Sequence, residues 1–77
     1  MIKNELDEII ISKVKKIREE KGFTDMQALS KQAGYYPGLV ANAENPERRD
    51  KYNIYHLNGL AKAMKCSIKD FLPDNPV

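Results

Sequence analysis

The side chains able to do chemistry are few, and several of them sit in one short stretch. In ENPERRDKYN, Arg48, Arg49 and Lys51 bring three cations into a segment without regular pattern, and such a run suits the phosphate oxygens of a nucleic acid. Glu47 and Asp50 dilute that charge. A second basic group, Lys13, Lys15, Lys16 and Arg18, reads as a solvated helix face. The remaining reactive residues come singly, as His56 and Cys66. A catalytic serine or cysteine needs a base beside it, and zinc needs a full set of His and Cys ligands. Neither is present, nor is a glycine-rich phosphate loop. The expectation is a protein that binds rather than catalyses, without metal or cofactor, in which His56 faces solvent and Cys66 lines the core.

The elements that would position the basic loop lie just before it, in Thr24 to Glu44, TDMQALSKQAGYYPGLVANAE. Thr24 or Asp25 can cap a helix by accepting from its first free N–H groups, and Thr24 with Gln27 has the capping-box spacing. Met26, Leu29, Ser30 and Ala33 recur at helical spacing, with small residues that permit close approach of another helix. Gly34 supplies a stop and Pro37 a start, leaving a turn of about three residues. The second helix is expected from Pro37 to Glu44, burying Val40 and Ala43, exposing Gly38, Ala41 and Asn42, and ending at Asn45-Pro46. This is the layout of a helix-turn-helix, and it points to DNA.

The rest of the chain has the same all-helical pattern. A first helix from about Asn4 to Glu20 places Leu6, Ile10, Val14 and Ile17 on one stripe, widened by Ile9 and Ile11. A fourth opens on Asn53 as cap and carries Ile54, Leu57, Leu60, Ala61 and Met64 inward. Gly59 inside it costs about 1 kcal/mol relative to alanine, a sign of tight packing or of drift. Ser67 caps a last short helix, Ile68 to Leu72, closed by Pro73. The 77 residues make a single domain with a core from about 4 to 73. Met1 to Lys3 and Asp74 to Val77 are expected to be loose.

Thirteen basic and eleven acidic side chains leave a net charge of +2, so the distribution of charge carries more than its sum. A lone cysteine among helix-forming residues fits a reducing cytoplasm. No apolar run approaches the roughly 20 residues of a membrane span, and the N-terminal residues are acidic rather than a basic signal sequence.

Taken in order, IREEKGF, LSKQAG, a short helix ending in Glu44 and LAKAMKCSIKDFL resemble the Xre type of helix-turn-helix domain of phage repressors and Cro proteins. The resemblance runs from about Ile10 to Leu72. It implies a compact five-helix, lambda-repressor-like domain whose second and third helices form the motif, with the third lying in the major groove. It implies an ion pair between Arg18, late in the first helix, and Glu44, ending the recognition helix. It places the base-reading positions on Pro37, Gly38 and Asn42, of which only Asn42 has a polar side chain suited to adenine. Tyr36 is expected to contact DNA, whereas Tyr35 fills a core position. One extra residue before the second helix sets Met26 where the family often has a phosphate-binding glutamine, with Gln27 beside it. The connection after the recognition helix is about three residues longer than in compact relatives; Asn45, Arg48, Arg49 and Lys51 there are expected to grip phosphates. The implied protein is a sequence-specific regulator, repressor-like, binding double-stranded DNA as a homodimer. The alternative is a protein-interaction module or antitoxin on the same scaffold, for which a bland helix with an exposed Leu39 would serve.

Overall fold

A computed structural model describes residues 3–77 of the chain. They form four α-helices, α1 (Glu5–Glu20), α2 (Met26–Gln32), α3 (Leu39–Glu44) and α4 (Ile54–Met64), followed by a 3-10 turn, Ile68–Phe71. The described residues contain no strand. Five α-helices were expected, and the fifth is this 3-10 turn. Pro73 disfavours helical geometry at the residue before it, and the segment closes instead with i to i+3 bonds from Asp70 N to Ser67 O and from Leu72 N to Lys69 O.

Local chemistry sets most helix starts. Asn4 accepts from Asp7 N at 2.9 Å while Asp7 returns a bond to Asn4 N at 3.3 Å. Asn53 and His56 make the same reciprocal box on α4, and Ser67 with Asp70 makes it on the 3-10 turn. Asp25, not Thr24, caps α2, through Ala28 N, and the Thr24–Gln27 box is not formed. Gly34 then takes φ +94°, a left-handed conformation that ends the helix cheaply only without a Cβ.

The entry to α3 differs from expectation. Pro37 does not start the helix. Tyr36 O accepts from Leu39 N at 3.1 Å, making Tyr36-Pro37-Gly38-Leu39 a tight turn, with proline at the position whose φ its ring presets. Helix α3 therefore begins at Leu39, and the connection from α2 spans 33–38 rather than about three residues.

Helix α2 packs on α3 and α4, and α1 packs on α3 and on the 3-10 turn, which also meets α4. Val14, Leu29, Leu39, Val40, Leu60, Met64 and Phe71 are buried where these elements meet; burial stabilises each large side chain by about 1.5–3 kcal/mol. On α1 Leu6 departs from the expected stripe and is exposed, while Ile10 and Ile17, with the flanking Ile11, pack against the core as expected. Gly59 is explained by packing, because a Cβ there would lie 2.4 Å from Ala33 O. Lys65, the C-cap of α4, is left-handed at φ +56°, a conformation costing roughly 1–2 kcal/mol in a residue with a side chain.

One end expected to be loose is anchored. Lys3 is buried, and its ammonium donates to Ala43 O at 2.6 Å and Asn45 O at 2.9 Å. Those are carbonyls at the C-terminal end of α3, where a cation complements the helix dipole and satisfies free acceptors. Met1 and Ile2 lie outside the described residues.

Candidate nucleic-acid interface

Helix α3 has six residues, too few to hold its shape alone. Three side chains from other parts of the chain hold it. At its end, Arg18 Nε donates to Glu44 Oε2 and Arg18 Nη2 to Glu44 Oε1, each at 2.6 Å. Arg18 Nη1 also donates to Phe23 O at 3.2 Å, tying in the loop after α1. The two side chains are only 7% and 11% exposed, so this is a buried, two-pronged pair rather than a surface contact. Hydrogen bonding to Glu44 raises the guanidinium pKa and burial opposes the rise.

At the start of α3, where Gly38 offers no capping side chain, Ser30 supplies the cap from α2. Its hydroxyl donates to Met26 O at 2.7 Å and accepts from Val40 N at 3.1 Å. Ser30 is fully buried, so both bonds are made away from water. Ser30 was expected only as a small packing residue, since its partner lies ten residues on and no local pattern announces it. Lys3 completes the set at the other end.

The outward end of α3 gathers three of the expected contact residues. A Cβ on Gly38 would sit 3.2 Å from Asn42 Nδ2 and 3.4 Å from the Tyr36 ring, so the glycine leaves room for both side chains. Tyr36 is exposed, as is Pro37 beside it, while Gly38, Ala41 and Asn42 are half-buried rather than open. Tyr35 is partly buried against the core. Leu39, expected on the surface, is 1% exposed: it lies one helical turn before Ala43 and shares its inward face.

The basic loop is joined to this group, though much of its charge is engaged. Tyr36 Oη donates to Asp50 Oδ2 at 3.4 Å, and Arg48 Nε donates to Asp50 Oδ1 at 2.8 Å. The bond from Arg48 pulls the Asp50 carboxyl below its usual range. Lys51 Nζ lies 3.4 Å from Asp7 Oδ2 on α1. Asn45 uses its side-chain carbonyl on Glu47 N at 2.9 Å, which leaves its NH2 group for a ligand. Arg49 is exposed and forms no ion pair among the described residues. Gln27 is exposed on the first turn of α2, and nothing joins it to either group.

Two residues behind the interface were misread or missed. His56 does not face solvent: it is half-buried, its ring meets Tyr35 edge-on at 4.7 Å, and its Nδ1 accepts from Asn53 N at 3.1 Å. Burial lowers its pKa, and protonating Nδ1 would also remove that acceptor. The stabilising contribution is therefore whole above about pH 6.5, the ordinary value, and is lost as pH falls through the lower folded value. Thermal unfolding followed at successive pH values should show the melting temperature falling below that point, with a His56→Gln variant showing a flatter profile. Tyr52 is buried, its hydroxyl lacks a hydrogen-bond partner among the described residues, and burial pushes its pKa up strongly, so the phenol stays neutral.

Fold and site together define a small all-α domain in which a clamped six-residue helix and an adjoining charged loop share one region. Compared with known protein families, with curated proteins and with solved structures, the chain matches none. Among the described residues, no helix is long and apolar enough to cross a membrane.

Proposed function

We propose that this chain is a sequence-specific, double-stranded DNA-binding regulator of the Xre and phage-repressor type, in which α2 and α3 act as the helix-turn-helix of a lambda-repressor-like domain. The observation that carries the reading is the triple restraint of α3 by Arg18, Ser30 and Lys3. A helix held at both ends, with Tyr36, Gly38 and Asn42 grouped at its outer end, is suited to presenting side chains in a major groove.

Asn42 reads the base and Tyr36 reaches phosphate or a thymine methyl. Gly38 and Pro37 let the backbone approach. Arg49 is the foremost phosphate contact, with Arg48 and Lys51 following once they exchange Asp50 and Asp7 for phosphate. Gln27 and Asn45 add polar contacts at the flanks. One short helix reads few base pairs, so the protein binds as a homodimer on half-sites about 34 Å apart and acts in the cytoplasm by occupying an operator. A protein-docking or antitoxin use of α3 drew on low net charge and an exposed Leu39; the net charge is +2, but Leu39 is buried.

Two substitutions separate base reading from backbone contact. Asn42→Ala should relax preference at one base pair, costing about 1–3 kcal/mol on the preferred site and little elsewhere. Arg49→Ala should weaken binding to all sequences alike and reduce the slope of affinity against salt by about one. Fluorescence anisotropy with a panel of duplexes at several salt concentrations measures both. Equal losses on every duplex for Asn42→Ala would remove it from the reading positions.

A further inference from the structure

On another part of the molecule, the C-terminal half of α1 and the junction between α4 and the 3-10 turn border a cavity of about 430 Å³ that is open to solvent. Lys13, Lys16 and Lys21 line it from α1 and its C-cap, and Lys65 lines it from the end of α4. The geometry points to a binding site for a small multi-anion carrying two or more phosphate groups. No residue of α2, α3 or the 45–52 loop lines the cavity, so the assignment does not rest on DNA binding.

The charge is unspent. Glu20 and Asp70 share the lining, leaving an excess of two positive side chains, yet none of the four ammonium groups forms a salt bridge among the described residues. The Asp70 carboxylate is occupied by Ser67 N at 3.0 Å, as the cap of the 3-10 turn. Lys21 Nζ reaches only the Lys65 carbonyl, at 3.5 Å. Lysines near a helix end offset its dipole, which accounts for Lys21 and Lys65. It does not account for Lys13 and Lys16, which are set well back from the end of α1 and share one face.

The backbone supplies a separate reason. Lys65 is the one described residue other than glycine with positive φ, at a helix end where glycine is the usual choice. Backbone strain in a residue with a side chain is often found where that side chain has a role, and here the Lys65 side chain lines the cavity. The volume lies within the range of small-ligand pockets. Ile17 and Cys66 give the lining an apolar portion. Burial and Asp70 raise the Cys66 pKa, with Lys21 opposing, so the thiol is a neutral wall rather than a nucleophile.

The test is NMR titration of the full 77-residue chain with inorganic tripolyphosphate and, separately, with ADP, each against sodium sulfate at equal ionic strength. Saturable shifts centred on Lys16, Lys21, Lys65 and Cys66, absent with sulfate, are expected. Tighter binding of ADP would identify a nucleotide as the source of the phosphates, and equal binding would identify the oligophosphate alone; either supports the site. Lys13→Gln with Lys16→Gln should weaken both probes about tenfold or more. Lys65→Gly should weaken them while raising the melting temperature, so loss of binding cannot be ascribed to misfolding. Shifts that do not saturate, that centre on Arg48 and Arg49, or that survive the double substitution with unchanged affinity would overturn the proposal.

Discussion

A Glu44→Ala variant is expected to lose about 3–5 kcal/mol of folding stability, because it leaves the Arg18 guanidinium buried without its anion. A domain of this length has roughly 4–12 kcal/mol in total on the usual per-residue scale, so much of the margin goes. The melting temperature should fall by at least about 12 °C. The loss exceeds the net contribution of the pair, since most of it is the desolvation of a charge with no partner. Replacing both residues, as Arg18→Met with Glu44→Leu, should therefore recover much of it. The pair is nearly excluded from solvent, so the loss should change little with added salt. A melting temperature unchanged by Glu44→Ala, followed by circular dichroism, would contradict the clamp.

Gly59→Ala is the second large effect, and its sign is opposite to that suggested by helix propensity. On an exposed helix the change would stabilise by about 1 kcal/mol. Here the new methyl would meet Ala33 O at 2.4 Å and the Tyr35 ring at 3.1 Å. The carbonyl belongs to the backbone at the end of α2 and cannot swing aside as a side chain would. The end of α2 must move off α4, and overpacking of this kind typically costs about 1–3 kcal/mol. A net loss of about 1 kcal/mol, and at most about 2, is expected after the propensity gain, measured by urea denaturation. Asn58→Ala, at an exposed neighbouring position, should be neutral or slightly stabilising. If Gly59→Ala stabilised as much as its neighbour, the α2–α4 contact described above would be wrong.

Features written in a few adjacent residues were the legible ones. Asn53 and Ser67 cap their helices because a cap needs only the next turn, and Gly34 stops α2 for a reason contained in one residue. The start of α3 was misplaced because proline suits both the first turn of a helix and the second position of a tight turn; the Tyr36–Leu39 bond selects the turn. The inward face of α3 could have been read more fully, since Leu39 and Ala43 are four residues apart. The pairing of Arg18 with Glu44 came from family resemblance, as no local pattern links residues 26 apart. Lys3 was beyond reach for the same reason: its partners lie 40 and 42 residues away. Ion pairing of the loop cations, Arg48 with Asp50 and Lys51 with Asp7 of α1, was also hidden, so both looked as free as Arg49.

DNA recognition is the central claim, and a selection from randomised duplexes at two salt concentrations tests it most directly. The account predicts enrichment of a paired half-site motif, with affinity falling as salt rises. Failure to enrich any duplex, or binding that is independent of salt, would contradict it.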